Sequence, residues 1–580
     1  MQEKPTFSLG PVRQFILLVL LLAGVHPAPA QRLPTWKWTA QAGGPDWTLI
    51  SNMTHDKQGN IIVVGEFFGP TAFGSATFTS TPTAIPFPFS HSDIFIAKYT
   101  ASGKLRWVRM AGGPGYDFPS QVTADSDGSV YVTGQFGAGG TTRNLSAAFG
   151  SVSLISRGAG EAFLAKYDST GQLRWVRQVD RSTNNNFSQG THVAVDAKHN
   201  VYWAGGYSGT VTIAGVPASG VGDHAVYLAK LTSSGTVKWL RSGMCQGASA
   251  HLAIDSQDQV YFAGNMVGTA TFDSYVFRDF SGGYTNDVFI AKYDSLGRVQ
   301  WAKQLGGNQD DGLVDIVAMP NRNIQVAINF AGTANFTTQQ LTSRGSVNIA
   351  LACFTGAGQL AWLRQEGTGP TAFGLDLAID GHSNSYTASR FNEPTSSDAG
   401  IYTYLIAYDS IGNRKWAIPA PSFNLGWVGG DMRNVTALSP EKVIVGGSFK
   451  GIATFPGLPP ITSSSPATPT YPGQINLWLA ELSGISSSTA GDFPAGNAEK
   501  IQIPNIITPN GDALNEYFIL KGVDAASYAL TIYSRWGMQL YHTTSYKQDW
   551  NAQGLPSGLY YYYLQAAGKA TLKGWIEVTR

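Results

Sequence analysis

VAVDAKHNVYWAGGYSGTVTIAGVPASGVGDHAVYLAKLTSSGTVKWL, residues 193–240, holds four short strand-like runs: Val193-Ala194-Val195, Val201-Tyr202-Trp203-Ala204, Ala225 to Ala229, and Val237-Lys238-Trp239-Leu240. Each run is too short for a stable helix and is rich in the branched and aromatic residues that suit a pleated surface. The chain repeats this unit. Trp38, Trp107, Trp175, Trp239, Trp301, Trp362 and Trp416 recur at spacings of 69, 68, 64, 62, 61 and 54 residues, and so place seven of the fifteen tryptophans on one register. A second marker runs beside them, the alanine of an apolar-Ala-Lys-Tyr strand at Ala97, Ala165, Ala229 and Ala291, decaying to Ala352, Ala407 and Ala480. Four strands per unit, repeated seven times, is the pattern of a β-propeller, each unit being one blade.

Between the first and second strands of a unit lie turns such as Asp56-Lys57-Gln58-Gly59-Asn60 and Asp125-Ser126-Asp127-Gly128-Ser129. Between the third and fourth lie Asp168-Ser169-Thr170-Gly171 and Asp294-Ser295-Leu296-Gly297. Asp bonds the backbone two residues on and Gly accepts a positive φ, so these are tight hairpins. A calcium loop needs carboxylates at alternate positions and a distal acid, which no repeat supplies. The last repeat has no Trp strand after Ile475 to Leu482, while Trp36 to Gln41 stands alone before the first repeat. Pairing of these two ends would close the ring and remove its open edges. From Trp36 to about Leu482 the repeats resemble the bacterial SBBP-type β-propeller repeat, a resemblance that implies a fold and an extracellular setting and no particular reaction.

Composition agrees with an all-β chain: 67 Gly, 12% aromatic and only 13% charged residues in 580. The formal net charge of +1 provides no field for nucleic acid. Cys245 and Cys353 exclude a disulfide framework and leave open one bridge or two thiols. At the amino terminus Lys4 and Arg13 precede the apolar run Phe15 to Ala23 and Ala28-Pro29-Ala30, the pattern of a secretory signal peptide over residues 1–30. No later stretch reaches the roughly 20 apolar residues of a spanning helix, so the mature chain is expected to have no transmembrane segment.

The propeller is expected over residues 31–485, a small-residue linker over 486–499 and a compact β-rich module over 500–580. The module carries Thr508-Pro509-Asn510-Gly511-Asp512-Ala513-Leu514-Asn515, then Tyr533-Ser534-Arg535-Trp536-Gly537, then Asp549-Trp550-Asn551, Gly558-Leu559-Tyr560 and Gly574-Trp575. In this order and at the carboxy-terminal end, these landmarks resemble the gliding-motility-associated domain that acts as the type B sorting signal of type IX secretion. Ala513 and Glu516 depart from the family's frequent Gly and Asp. The resemblance implies a small Ig-like β-sandwich, the type IX secretion machinery as partner, and a secreted or cell-surface location reached through the periplasm. Its signature positions are Asn510, Gly511, Asp512, Asn515, Arg535, Trp536 and Gly537.

Two connections in each unit emerge on one face. The Gly-Gly loops after the Trp strand carry Asp46, Asp117, Asp310 and Asp431, and the long inserts between second and third strands include Pro-rich stretches at Thr81 to Pro88 and Pro456 to Pro472. The four aspartates are candidate ligand-binding residues near the central channel; the alternative is that each caps its own turn. His192, His199, His224 and His251 are scattered without metal-ligand spacing, and no motif of nucleophile, zinc-protease or phosphate-loop type occurs. No catalytic residue, metal or cofactor is singled out. Two functions remain: a non-enzymatic surface or secreted scaffold binding a glycan, polymer or protein, and a propeller hydrolase or lyase acting on a polysaccharide or other polymer. Degenerate repeats with no acid or histidine constellation confined to particular blades favour the first.

Overall fold

A computed structural model describes residues 34–82, 91–138, 144–157, 160–181, 188–219, 225–245, 250–283, 285–367, 371–392, 401–423, 430–463, 475–484, 504, 506–509, 516–520, 525–534, 538–566 and 572–579. The chain divides into two compact units, Met1–Ser487 and Ser488–Arg580. The signal-peptide stretch, the linker, His224 and all seven sorting-signature positions lie outside the described residues.

In the first unit, strands Thr48–His55, Ile61–Phe67, Asp93–Tyr99 and Leu105–Gly112 form one antiparallel meander, and the same four-strand order recurs through the repeats. Seven such meanders are present among the described residues. Their first strands, from Thr48–His55 to Gly430–Ser439, lie side by side in chain order, and the last returns against the first. The fold is therefore an all-β propeller. The seventh meander borrows its outer strand from the start of the chain: Thr39 pairs with Ala480 and Ala42 with Leu477, while Trp38 Nε1 donates to Glu481 Oε2 at 2.7 Å.

The core lies between successive sheets. Ile62, Val64, Ile94 and Ile96 of the first blade pack on Val122, Val130, Val132 and Phe163 of the second. Both faces of the middle strands are covered, so these strands read as continuous apolar runs.

The repeat markers are the joints between blades. The Gly171 hairpin of the second blade sits directly over the indole of Trp107 in the first; the indole Nε1 donates to Ser169 O at 3.1 Å and Arg109, stacked on the same ring, donates from Nε to Gly171 O at 2.8 Å. The same contact recurs for Gly103 on Trp38, Gly235 on Trp175, Gly297 on Trp239, Gly358 on Trp301 and Gly412 on Trp362. Trp416 faces the blade completed by pairing of Thr35–Ala42 with Asn476–Ser483, which has no such hairpin, and its buried Nε1 has no hydrogen-bond partner among the described residues.

The inserts differ from the display loops expected of them. Where described, they are two-stranded hairpins such as Pro70–Phe73 with Ala76–Thr79, and several add their edge to the outer strand of the preceding blade: Ala148 pairs with Gly112, Ile213 with Val179 and Asn335 with Gly306. Alternation explains this, because Thr71 and Phe73 are buried while Pro70 is exposed, and Phe73 packs on Phe95 at 4.9 Å. Most of the Pro-rich stretches lies outside the described residues.

The second unit contains one five-stranded sheet. Ile506–Ile507 runs parallel to Leu572–Val578; the other neighbours, Gly558–Gln565, Ala529–Ser534 and Gln539–Thr543, are antiparallel. The described residues supply this single sheet where the resemblance implies two; Phe518, Leu520, Tyr546 and Trp550, outside the strands, cover its apolar face. Both cysteines of the propeller are free and buried, and burial pushes their thiols up to about 12 for Cys245 and about 11 for Cys353, which makes them inert.

Candidate functional site

The four loop aspartates meet different fates. Asp117 is fully buried, its Oδ2 accepting from Gly113 N at 2.7 Å and its Oδ1 from Gly137 N at 2.6 Å. Burial pushes this carboxyl up to about 8, with the nearby Asp93 adding to the effect against the pull of the two amides. In the fourth repeat the residue that does the same work is Asp311 rather than Asp310: it accepts from Gly307 N at 2.7 Å and, chiefly through burial, is raised to about 7. Asp310 is one residue early and therefore exposed, accepting from Asn286 N at 3.0 Å. Asp46 is exposed beside Gly69. Asp431 accepts from Arg433 Nε and, at 3.2 Å, from Ser448 N. None of the four lines the central channel.

The turn aspartates have a local task. Asp56 Oδ1 accepts from Gln58 N at 3.0 Å and Asn60 N at 2.9 Å, and the pattern repeats at Asp125, Asp196, Asp255 and Asp380. Asp56 also meets Lys98 at 2.8 Å, both side chains being 1% exposed.

The channel is a cavity of about 490 Å³ lined by all seven first strands. Within each of these strands stands one polar residue at an equivalent position, and together they form a belt. In six of the seven strands the belt residue follows directly after a β-bulge, at Asn52, Gln121, His192, Asp315, Asp376 and Asn434. A bulge re-aims the side chain after it, which accounts for polar groups at a depth where strict alternation would be read as core. The belt stitches neighbouring blades. Asn52 Oδ1 accepts from Val122 N at 3.2 Å, Gln121 Oε1 from Val193 N at 3.1 Å and Asp376 Oδ2 from Val435 N at 2.8 Å, while Asn434 Nδ2 donates to Ser51 O at 3.3 Å.

Three consecutive positions turn toward one another instead. His251 Nδ1 lies 3.0 Å from Asp315 Oδ1, His192 Nε2 lies 4.0 Å from the same oxygen, and the two imidazoles are 5.3 Å apart. Burial drives His192 down to about 3, with His251 adding to the effect, so this ring is neutral. Asp376 is raised to about 7, first by burial and then by Asp315. The structure thus joins two histidines that lie 59 residues apart in sequence. A sequence signal was present: each of Asn52, Gln121, His192, His251 and Asp376 stands four residues before its turn aspartate. His199 is elsewhere, its Nδ1 3.3 Å from Asp125 Oδ2, an oxygen that also accepts from Tyr131 and faces Lys166.

Residues 501–578 match the CHU_C type IX secretion signal domain. Residues 106–135 match the SBBP β-propeller repeat. The chain is therefore exported cargo of the type IX machinery built on a β-propeller, bound for secretion or the cell surface. Among the described residues no helix is long and apolar enough to cross a membrane. An uncharacterized WD repeat-containing protein of Acanthamoeba polyphaga mimivirus is 23% identical over 433 residues, 61% of this chain and 30% of that protein. The chain thus spans less than a third of that relative. Among solved structures, puromycin hydrolase is 11% identical, with 77% of this chain and 58% of that one covered and a TM-score of 0.39. A protein of unknown function from Bacteroides caccae is 9% identical, with 59% and 94% covered and a TM-score of 0.31.

Proposed function

We propose that this type IX cargo is a non-enzymatic binding scaffold, and that its contact site is the wall and mouth of the propeller's channel together with the loop face around it. The observation that carries this reading is the belt. Seven blades each commit a polar residue to one level of a solvent-sized cavity, and only part of that polarity is used in holding blades together. A pocket with a few convergent polar groups is the usual form of a ligand site. Its size and its amide, imidazole and carboxylate lining suit the end of a polar polymer, a glycan or peptide terminus. Asp117 and Asp311 belong to the scaffold on this reading, since their oxygens hold loop amides.

The test is a panel of polysaccharides and peptides against the purified mature chain, scored separately for binding and for turnover. Binding that is lost in Gln121→Ala and Asn434→Ala, without product formation, supports the scaffold. Release of products from any polymer on the panel would replace it with the hydrolase or lyase reading.

A further inference from the structure

The triad at the belt has the composition and spacing of a metal site. We infer that His192, His251 and Asp315 bind one zinc-class divalent ion on the channel wall, with its remaining coordination position open to the channel. The three residues come from the first strands of three successive blades, and one ligand atom from each lies within 4.8 Å of the others. Zinc held at roughly 2.0–2.2 Å by nitrogen and carboxylate donors requires ligand atoms about 3.4 Å apart. The observed 3.0 Å and 4.0 Å separations from Asp315 Oδ1 bracket that value, so side-chain shifts under about 1 Å complete the site.

A second observation points the same way. Elsewhere the belt residue bonds the next blade, but His192 Nε2 faces Asp315 Oδ1 across 4.0 Å, a gap too long for a hydrogen bond. An imidazole nitrogen and a carboxylate oxygen that face each other without bonding leave the gap a borderline-soft cation fills, and two imidazoles with one carboxylate leave a position for water or a ligand oxygen. With the metal on Nδ1 of His251, that ring keeps its proton on Nε2.

The inference builds on the channel reading, and the two fail separately because zinc and polymer binding are measured apart. Mature chain stripped with chelator is titrated with Zn2+ by calorimetry and with Co2+ by visible absorption. The expected result is one ion per chain and a zinc-dependent rise in melting temperature. Loss of an outer-shell partner alone costs about 10–100-fold in metal affinity, so loss of a ligand in His192→Asn or Asp315→Asn is expected to cost at least about 100-fold. His199→Asn, at the separate His199–Asp125 pair, is expected to bind as the parent does. Absence of stoichiometric binding by the parent overturns the site, as does unchanged affinity in whichever of the two ligand variants folds. Loss of binding in His199→Asn would overturn it too.

Discussion

Replacing Gly171 by alanine tests the joint between blades. The residue has φ +81°, and a Cβ built there comes 2.8 Å from Trp107 Cδ2 and 3.0 Å from Cε3. Left-handed backbone costs an alanine about 1–2 kcal/mol. Carbon atoms pack best at about 3.5–4.0 Å, so the hairpin must lift by roughly 0.7 Å, and such overpacking costs about 1–3 kcal/mol. Lifting also stretches the 2.8 Å bond from Arg109 to Gly171 O. Gly215 gives the control, since its φ is +88° and none of the described residues lies within 4 Å of a Cβ built there. Gly215→Ala therefore carries the backbone cost alone, and Gly171→Ala is expected to be less stable than it by about 1–3 kcal/mol. Urea midpoints of the two variants measure the difference. In Trp107→Leu, where the wall is smaller, the excess cost should fall by at least about 1 kcal/mol. Equal midpoints for Gly171→Ala and Gly215→Ala would refute the argument that glycine is there to receive the indole.

Asp56→Ala strands the buried Lys98 ammonium and is expected to cost about 3–5 kcal/mol by denaturant titration, far more than an exposed pair such as Arg174 with Asp168. Asp117 and Asp311 hold their protons more tightly folded than unfolded, so the stability they add is complete below about pH 4 and is lost as pH rises through about 7 for Asp311 and about 8 for Asp117. Melting temperature against pH should show this decline, and Asp311→Asn should flatten the part near 7. Deleting residues 500–580 should leave the propeller folded and retained in the periplasm, as read by cell fractionation; surface delivery of the shortened chain in normal amount would count against the sorting role.

The propeller was legible because its sequence markers are also its joints: the indole of Trp107 and the bare Cα of Gly171 serve one contact repeated between blades, and Arg109 has counterparts in Arg177, Arg241 and Arg364. The channel belt was hidden because its residues differ in type from blade to blade, and because the bulge before Asn52 or His192 breaks the alternation by which inward and outward positions are told apart. Two histidines in different repeats looked scattered, whereas their common distance from the turn aspartate put them on one level of one cavity. In the fourth repeat two adjacent acids, Asp310 and Asp311, share the loop, and the second reaches the Gly307 amide while the first accepts from Asn286 N. The inserts looked like free loops because strands of four residues carry too short an alternation to stand out.

The strand Thr35–Ala42 gives the ring a history as well as a shape. It is the first strand of the propeller to be synthesised and its partner is the last, since Trp38 and Glu481 are 443 residues apart. Loop closure grows as (3/2)RT ln n, so bringing these ends together costs only about 4 kcal/mol more than closing a four-residue hairpin. The delay is the larger consequence. Until Asn476–Ser483 has folded, Thr35–Ala42 waits unpaired, and any seven-bladed intermediate exposes two sticky edges at once. The propeller thus reaches its closed, edge-free state only when Thr35–Ala42 and Asn476–Ser483 have been brought to the same place.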